Sequence, residues 1–122
     1  MSSEDIGYYI KSGKTCHLVG IGGVSMSPLA EILNGMSIKV SGSDINENQA
    51  INDLQSLGIP VMIGHSAENI KGAEYIIRTA AAREDNDEIK AARELNIPVF
   101  ERAQAWGYIM REYDNAVCIS GV

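Results

Sequence analysis

The chain has 122 residues with a net charge of −6. That length suits one domain with a real core, and an apolar content of 45% with 21% charged residues is ordinary for a soluble globular domain. The acidic balance argues against a non-specific nucleic-acid binder, no apolar run approaches the ~20 residues of a membrane span, and the polar start Met1-Ser2-Ser3-Glu4-Asp5 does not resemble a secretory signal. A cytoplasmic domain with neither nucleic acid nor membrane as partner is the expectation.

Residues 1–13 are taken as an N-terminal tail and 14–122 as a single α/β domain. Short apolar runs alternate with longer helical patterns, which is the mark of a Rossmann-like, three-layer fold with a mainly parallel sheet. The first strand is placed at Cys16–Val19. A helix follows over about Ser25–Asn34, with Met26, Leu29, Ala30 and Leu33 as its buried stripe, Pro28 in its first turn and Gly35 as its stop. The second strand is placed at Ile38–Ser41. Asn46 and Gln49 predict a capping box for a helix that buries Ile51, Leu54 and Leu57 and ends at Gly58. Val61–Ile63 is a third strand, Ser66–Ile70 a short helical turn and Tyr75–Arg78 a fourth strand. Asp85 with Glu88 predicts the start of a helix through Leu95. A fifth strand is placed at Ile97–Phe100, a helix at about Ala103–Tyr113 and a last strand at Ala116–Ser120. The abrupt end at Gly121-Val122 suggests a larger protein that continues. Cys16 and Cys118 lie in apolar runs without neighbours at metal-ligand spacing, so both are expected as buried thiols, with neither a disulfide nor zinc.

The chemistry is expected beyond the carboxyl ends of the strands, where open α/β sheets bind ligands. Gly20-Ile21-Gly22-Gly23-Val24-Ser25 lies between a strand and a helix. Glycines permit a tight turn and close backbone approach, and the helix start offers free N–H groups to an anion, so the loop suits a diphosphate. Position 25 of the loop carries serine where a dinucleotide fingerprint has its third glycine. Asp44 follows the second strand, where a carboxylate can accept from a ribose diol or simply be satisfied by water at a helix entry. His65 can donate to a phosphate or a base carbonyl, or face solvent. His17, before the glycines, is read as packing or hydrogen-bonding on a sheet face. Arg102 begins a helix, where a cation opposes the dipole; an anion or a surface ion pair explains it. The chain shows no nucleophile elbow, paired carboxylates, metal cluster or phosphate-loop lysine, so no catalytic residue and no metal are assigned and the domain reads as a binder.

Several blocks in order carry a resemblance: His17 through Ser27, Val40-Ser41-Gly42-Ser43-Asp44, Ile63-Gly64-His65, Ala91-Ala92-Arg93, Ile97-Pro98-Val99 and Arg102-Ala103. Together they resemble the alanine-adding UDP-N-acetylmuramate ligases of the Mur ligase family, which build peptidoglycan precursor. The resemblance implies the N-terminal domain that holds UDP-N-acetylmuramate. A following central domain would bind ATP and Mg²⁺ and open with a phosphate loop led by Ile119-Ser120-Gly121-Val122. In the whole enzyme ATP would activate the muramoyl carboxylate as an acyl phosphate for attack by L-alanine; the fragment itself would carry no cofactor and be inactive. The resemblance also implies the site: Gly20, Gly22, Gly23, Val24 and Ser25 around the diphosphate, Asp44 and Ile45 at the uridine with His65 close by, and Thr79, Ala80 and Arg102 on the sugar side. Ser25, often glycine in the family, and Thr79-Ala80-Ala81, in place of a more usual serine pair, are small-for-small departures. Gly22 stands where the muropeptide-recycling ligases usually carry cysteine, which favours the alanine-adding enzyme. The alternative kept open is the NAD(P)-binding domain of an oxidoreductase, with which the Gly20-to-Asp44 spacing is compatible.

Overall fold

The computed structural model of the chain describes residues 6–120, with residues 113–120 described by backbone alone. Five parallel strands form one sheet: β1 (Cys16–Val19), β2 (Val40–Asp44), β3 (Val61–Ile63), β4 (Tyr75–Arg78) and β5 (Val99–Glu101), in the order β3-β2-β1-β4-β5. The chain winds outward from β1 in one direction through β2 and β3, then crosses back to β4 and β5. The strand order therefore reverses between β1 and β4, and a ligand crevice belongs at their carboxyl ends. Register brings those ends level, with Val19 opposite Ser43 on one side and Arg78 on the other.

Alternation along the strands divides the molecule into layers. Cys16 and Leu18 of β1, with Tyr75 and Ile77 of β4, face a large apolar core shared with α2 (Met26–Gly35), α3 (Gln49–Ser56) and α5 (Arg102–Ser120). Val19 and Ile76 face the other way, onto α4 (Asp87–Glu94) and the 3₁₀ turn Ala67–Ile70, in a smaller cluster with Ile70, Ile89 and Ala92. Helix α1 (Ile6–Lys11) falls in the stretch taken from sequence as a tail. It buries Ile6 and Ile10 and lays Tyr9 on Tyr75 and Phe100, with ring centroids 5.3 and 5.6 Å apart.

Three helices close alike. After α2, α3 and α4 the chain turns through a left-handed residue, Ser37, Gly58 and Asn96. The next residue is each time an isoleucine whose N–H bonds back five positions: Ile38 to Leu33, Ile59 to Leu54, Ile97 to Ala92. This is the Schellman arrangement. It explains two displaced strands. Ile38 and Ile97 belong to helix closures, so β2 starts at Val40 and not Ile38, and β5 at Val99 and not Ile97. It also makes Ser37, not Gly35, the residue that takes the strained turn after α2.

The caps differ from expectation too. Asn48, not Asn46, caps α3 by accepting from the Ile51 N–H at 2.9 Å. Asn86, not Asp85, caps α4 by accepting from the Glu88 and Ile89 N–H groups. Residues 45 and 46 cannot start the helix because Asp44 Oδ1 already binds their N–H groups. The strand expected at Ala116–Ser120 is absent: α5 runs through Ser120, since only Asp114 and Asn115, neither glycine nor proline, lie between Tyr113 and Ala116. Cys16 is a buried free thiol, and burial pushes its ionisation up. The side chain of Cys118, and Gly121 and Val122, lie outside the described residues.

Candidate functional site

The glycine loop is fixed by what it touches. Gly20 and Ile21 both donate from N–H to Ser43 O, at 2.8 and 3.0 Å, which hangs the loop on the end of β2. Gly20 has φ +83, and a Cβ there would stand 2.5 Å from Thr79 Cγ2, so both conformation and space require glycine. The Gly22 N–H donates to Asp44 Oδ2 at 2.9 Å, and a Cβ on Gly22 would meet that oxygen at 2.9 Å and Ile51 at 3.0 Å. Gly22 is therefore needed for a contact inside the protein. Gly23 N–H turns back onto Gly20 O at 3.1 Å.

Val24 and Ser25 follow just before α2. Their backbone N–H groups take no acceptor among the described residues, and the Ser25 side chain makes no cap bond. These are the open donors of the loop, backed by the positive end of the helix dipole. Trp106 on α5 donates from Nε1 to Ser25 O at 2.9 Å and so braces the turn from behind. The Val24 side chain projects into solvent, 96% exposed.

The loop opens on a cleft of about 350 Å³, within the size range of small-molecule sites. Of the residues singled out from sequence, Gly20, Gly23, Asp44, Ile45, His65 and Thr79 line it. Gly22, Val24, Ser25, Ala80 and Arg102 do not; the first three border it through the loop, while Arg102 heads α5, beyond β5. The lining also includes Ala81 and Ala82, of the strand-end loop marked from sequence without an assigned role, Asp85, read there only as a helix cap, and Arg83 and Asn86, which sequence reasoning passed over. They form the connection from β4 to α4, and their one signal was that position after a strand bordering the crossover. Arg78, buried at the end of β4, holds this connection by donating to Glu84 and to Ala82 O. Hydrogen bonds from Arg93 and Arg78 in turn hold the Glu84 carboxyl below the usual range.

Beneath the cleft runs a polar seam. His17, Ser41 and Ser43 share the sheet face toward α4, as alternation along β1 and β2 requires. Glu88, fully buried on α4, accepts at Oε1 from His17 Nε2 (2.8 Å) and Ser43 Oγ (2.6 Å). Its Oε2 accepts from Asn69 Nδ2 (2.7 Å) and the Ser66 N–H (3.1 Å). Burial pushes this carboxyl up, but the hydrogen bonds of His17, Ser43 and Asn69, with the charge interaction of His17, outweigh it and hold the group down at about 2. Ser41 Oγ lies 2.9 Å from His17 Nδ1, and Ser43 Oγ 3.0 Å from His65 Nδ1. Of the packing or hydrogen bonding expected of His17 on its sheet face, the structure shows hydrogen bonding at both ring nitrogens. Glu88 was assigned only as a capping partner; a charged residue at the second position of a helix gives no sequence signal that it turns inward.

Among the described residues no group of three or more His, Cys, Asp or Glu could hold a metal, and the glycine loop offers no lysine. The arrangement sets open N–H donors beside a carboxylate, a pairing with the chemistry to meet an anion and hydroxyl groups.

The chain is similar to known proteins over most of its length. Residues 15–114 match the model of the Mur ligase family, catalytic domain. A UDP-N-acetylmuramate–L-alanine ligase of Acetivibrio thermocellus is 46% identical over 108 residues, and one of Clostridium tetani 44% identical over 113. These matches cover 88% and 93% of this chain but 23% and 25% of the relatives, so the chain spans about a quarter of their length. The crystal structure of a UDP-N-acetylmuramate–alanine ligase from Thermotoga maritima superposes with a TM-score of 0.79 at 35% identity, over 81% of this chain and 23% of that one. A UDP-N-acetylmuramate:L-alanyl-γ-D-glutamyl-meso-diaminopimelate ligase from Neisseria meningitides gives 0.68 at 29% identity, over 73% of this chain and 28% of that one. A Rossmann-like sheet, the ordered glycine, aspartate and histidine blocks and a family match across most of the sequence lead to one conclusion: the chain belongs to the Mur ligase family.

Proposed function

We propose that the cleft at the β1/β4 crossover holds the UDP portion of UDP-N-acetylmuramate, and that the chain is the substrate-binding N-terminal domain, residues 14–122, of a cytoplasmic ligase that adds L-alanine to it. The observation that carries this reading is the pair of unused N–H groups at Val24 and Ser25, on a loop pinned to Asp44. They suit a diphosphate, with Gly20 and Gly23 allowing it to come close. Asp44 Oδ1 accepts from the Ile45 and Asn46 N–H groups and Oδ2 from Gly22 alone, so Oδ2 keeps acceptor capacity for a ribose hydroxyl. Ile45, exposed beside it, offers an apolar face to a base, and His65 a polar edge. Thr79, Ala80 and Arg102 are the candidates for the sugar side.

In this reading the chemical step, activation of the muramoyl carboxylate by ATP with Mg²⁺ and attack by the alanine amine, belongs to further domains of a longer protein. Among the described residues no group of three or more His, Cys, Asp or Glu gathers to hold Mg²⁺. The likeness to alanine ligases over most of the chain favours this reading above the dinucleotide-binding alternative. The test is a calorimetric titration of the chain with UDP-N-acetylmuramate and, in parallel, NADH. Heat with the sugar nucleotide alone supports the proposal; heat with NADH alone rejects it.

A further inference from the structure

The seam beneath the cleft determines where a proton sits. Glu88 is surrounded by donors: His17 Nε2 and Ser43 Oγ at one oxygen, Asn69 Nδ2 and the Ser66 N–H at the other. A proton on Oε2 would oppose Asn69 and Ser66, and the carboxylate satisfies both contacts at Oε1 when His17 donates from Nε2, so the geometry favours the carboxylate. Ser43 has one hydroxyl proton, and at 2.6 Å from a carboxylate oxygen that proton is donated to Glu88. Toward His65, Ser43 Oγ can then only accept. The 3.0 Å contact with His65 Nδ1 is satisfied only if Nδ1 carries a hydrogen. Glu88 Oε2, 3.5 Å from the same nitrogen, adds a favourable charge but lies too far for a good hydrogen bond. His65 Nε2 has no partner among the described residues, and His65 lines the cleft.

We infer that Glu88 and Ser43 are positioning residues for the cleft: they hold the proton of the neutral His65 ring on Nδ1, so that neutral His65 meets a ligand through a bare Nε2 that accepts a hydrogen bond. The partner is a donor on the ligand, an N–H or hydroxyl of a nucleotide, and not a phosphate oxygen or a base carbonyl. The ligand class rests on the function proposed above; the proton placement does not. The arrangement is the familiar one in which a carboxylate fixes the tautomer of a histidine, here with a serine hydroxyl between them.

The test is long-range ¹H–¹⁵N correlation NMR of the His65 imidazole in the free chain, at alkaline pH where an ordinary imidazole is neutral. The expected result is one tautomer, protonated at Nδ1. A proton on Nε2 overturns the inference. Ser43→Ala then breaks the link while leaving Glu88 paired with His17 and Asn69. It is expected to mix the two tautomers and to weaken UDP binding by about two- to tenfold, because only the fraction with bare Nε2 is competent. An unchanged tautomer ratio in the folded variant overturns the role of Ser43. Glu88→Gln is expected to shift the ratio the same way, and thermal melting shows whether that variant has folded. A purely structural role would lower the melting temperature and leave the tautomer alone. Should UDP fail to bind while Nδ1 carries the proton, the proposed function falls and the proton placement stands.

Discussion

The two faces of the sheet are built on opposite principles. The face toward α1, α2, α3 and α5 is packed with apolar side chains, from Cys16 and Leu18 to Tyr75 and Phe100, with the Tyr75 hydroxyl buried among them. The face toward α4 has apolar contacts near β4 and β5 but a polar seam of His17, Ser41, Ser43 and Glu88 under β1 and β2. The apolar face is held by burial, which is non-directional and tolerant. The polar face is held by a closed set of hydrogen bonds, in which each member is costly to lose and each orients its neighbour. The cleft lies above the second kind of packing, so its shape inherits that geometry.

The sharpest way to break the contrast is to remove one member from each side. Glu88→Ala is expected to cost about 3–5 kcal/mol, because His17 and Ser43 are left buried, and Asn69 half-buried, without their acceptor. Leu18→Ala is expected to cost about 2–5 kcal/mol through a cavity. Urea unfolding measures both, and pH separates them. Because the Glu88 carboxyl sits at about 2 in the fold, below its ordinary unfolded value of about 4.3, its contribution is complete above about pH 5 and is lost as pH falls toward 2. The Glu88→Ala deficit should therefore shrink across that window, and the Leu18→Ala deficit should not. A Glu88→Ala penalty that is constant with pH would show that the seam is ordinary packing.

Gly20→Val comes next. It adds a branched side chain at φ +83 and forces the new Cβ onto Thr79 Cγ2. A loss of about 2 kcal/mol in thermal unfolding and loss of nucleotide binding are expected together. Gly22→Val is expected to abolish binding by displacing Asp44 Oδ2, which backbone shifts at Asp44 and Ile45 would reveal.

How far each face was legible follows from its physics. The apolar stripe Met26, Leu29, Ala30 and Leu33 was found from its helical spacing, and β1, β3 and β4 were found as short apolar runs between turn residues. The loop Gly20–Ser25, Asp44 and His65 were found because strand-end positions and glycines mark a crevice. The seam left no trace: His17, Ser43 and Glu88 are far apart in sequence, and the sheet register brings them together. Helix ends were misplaced for a related reason. Ser37 and Asn96 do the work of glycine, and Asp44, through its bonds to residues 45 and 46, moved the cap of α3 to Asn48.

That misplacement yields a smaller prediction. Ser37→Gly should raise stability by about 0.5–1 kcal/mol, since glycine takes the left-handed turn without strain; a lower melting temperature would show that Ser37 is not strained. The smallest effect belongs to Ser25→Ala. Its side chain makes no cap bond, so its unfolding free energy should change by less than about 0.5 kcal/mol. A loss above 1 kcal/mol would reveal a cap bond formed in solution.

The central claim is that a diphosphate sits on the open N–H groups of the glycine loop at the β1/β4 crossover. Backbone amide NMR during titration with UDP-N-acetylmuramate tests it most directly. The largest shifts are predicted at Val24 and Ser25, with smaller ones at Asp44, Ile45 and His65. Saturable shifts that leave Val24 and Ser25 unmoved and cluster elsewhere would contradict it.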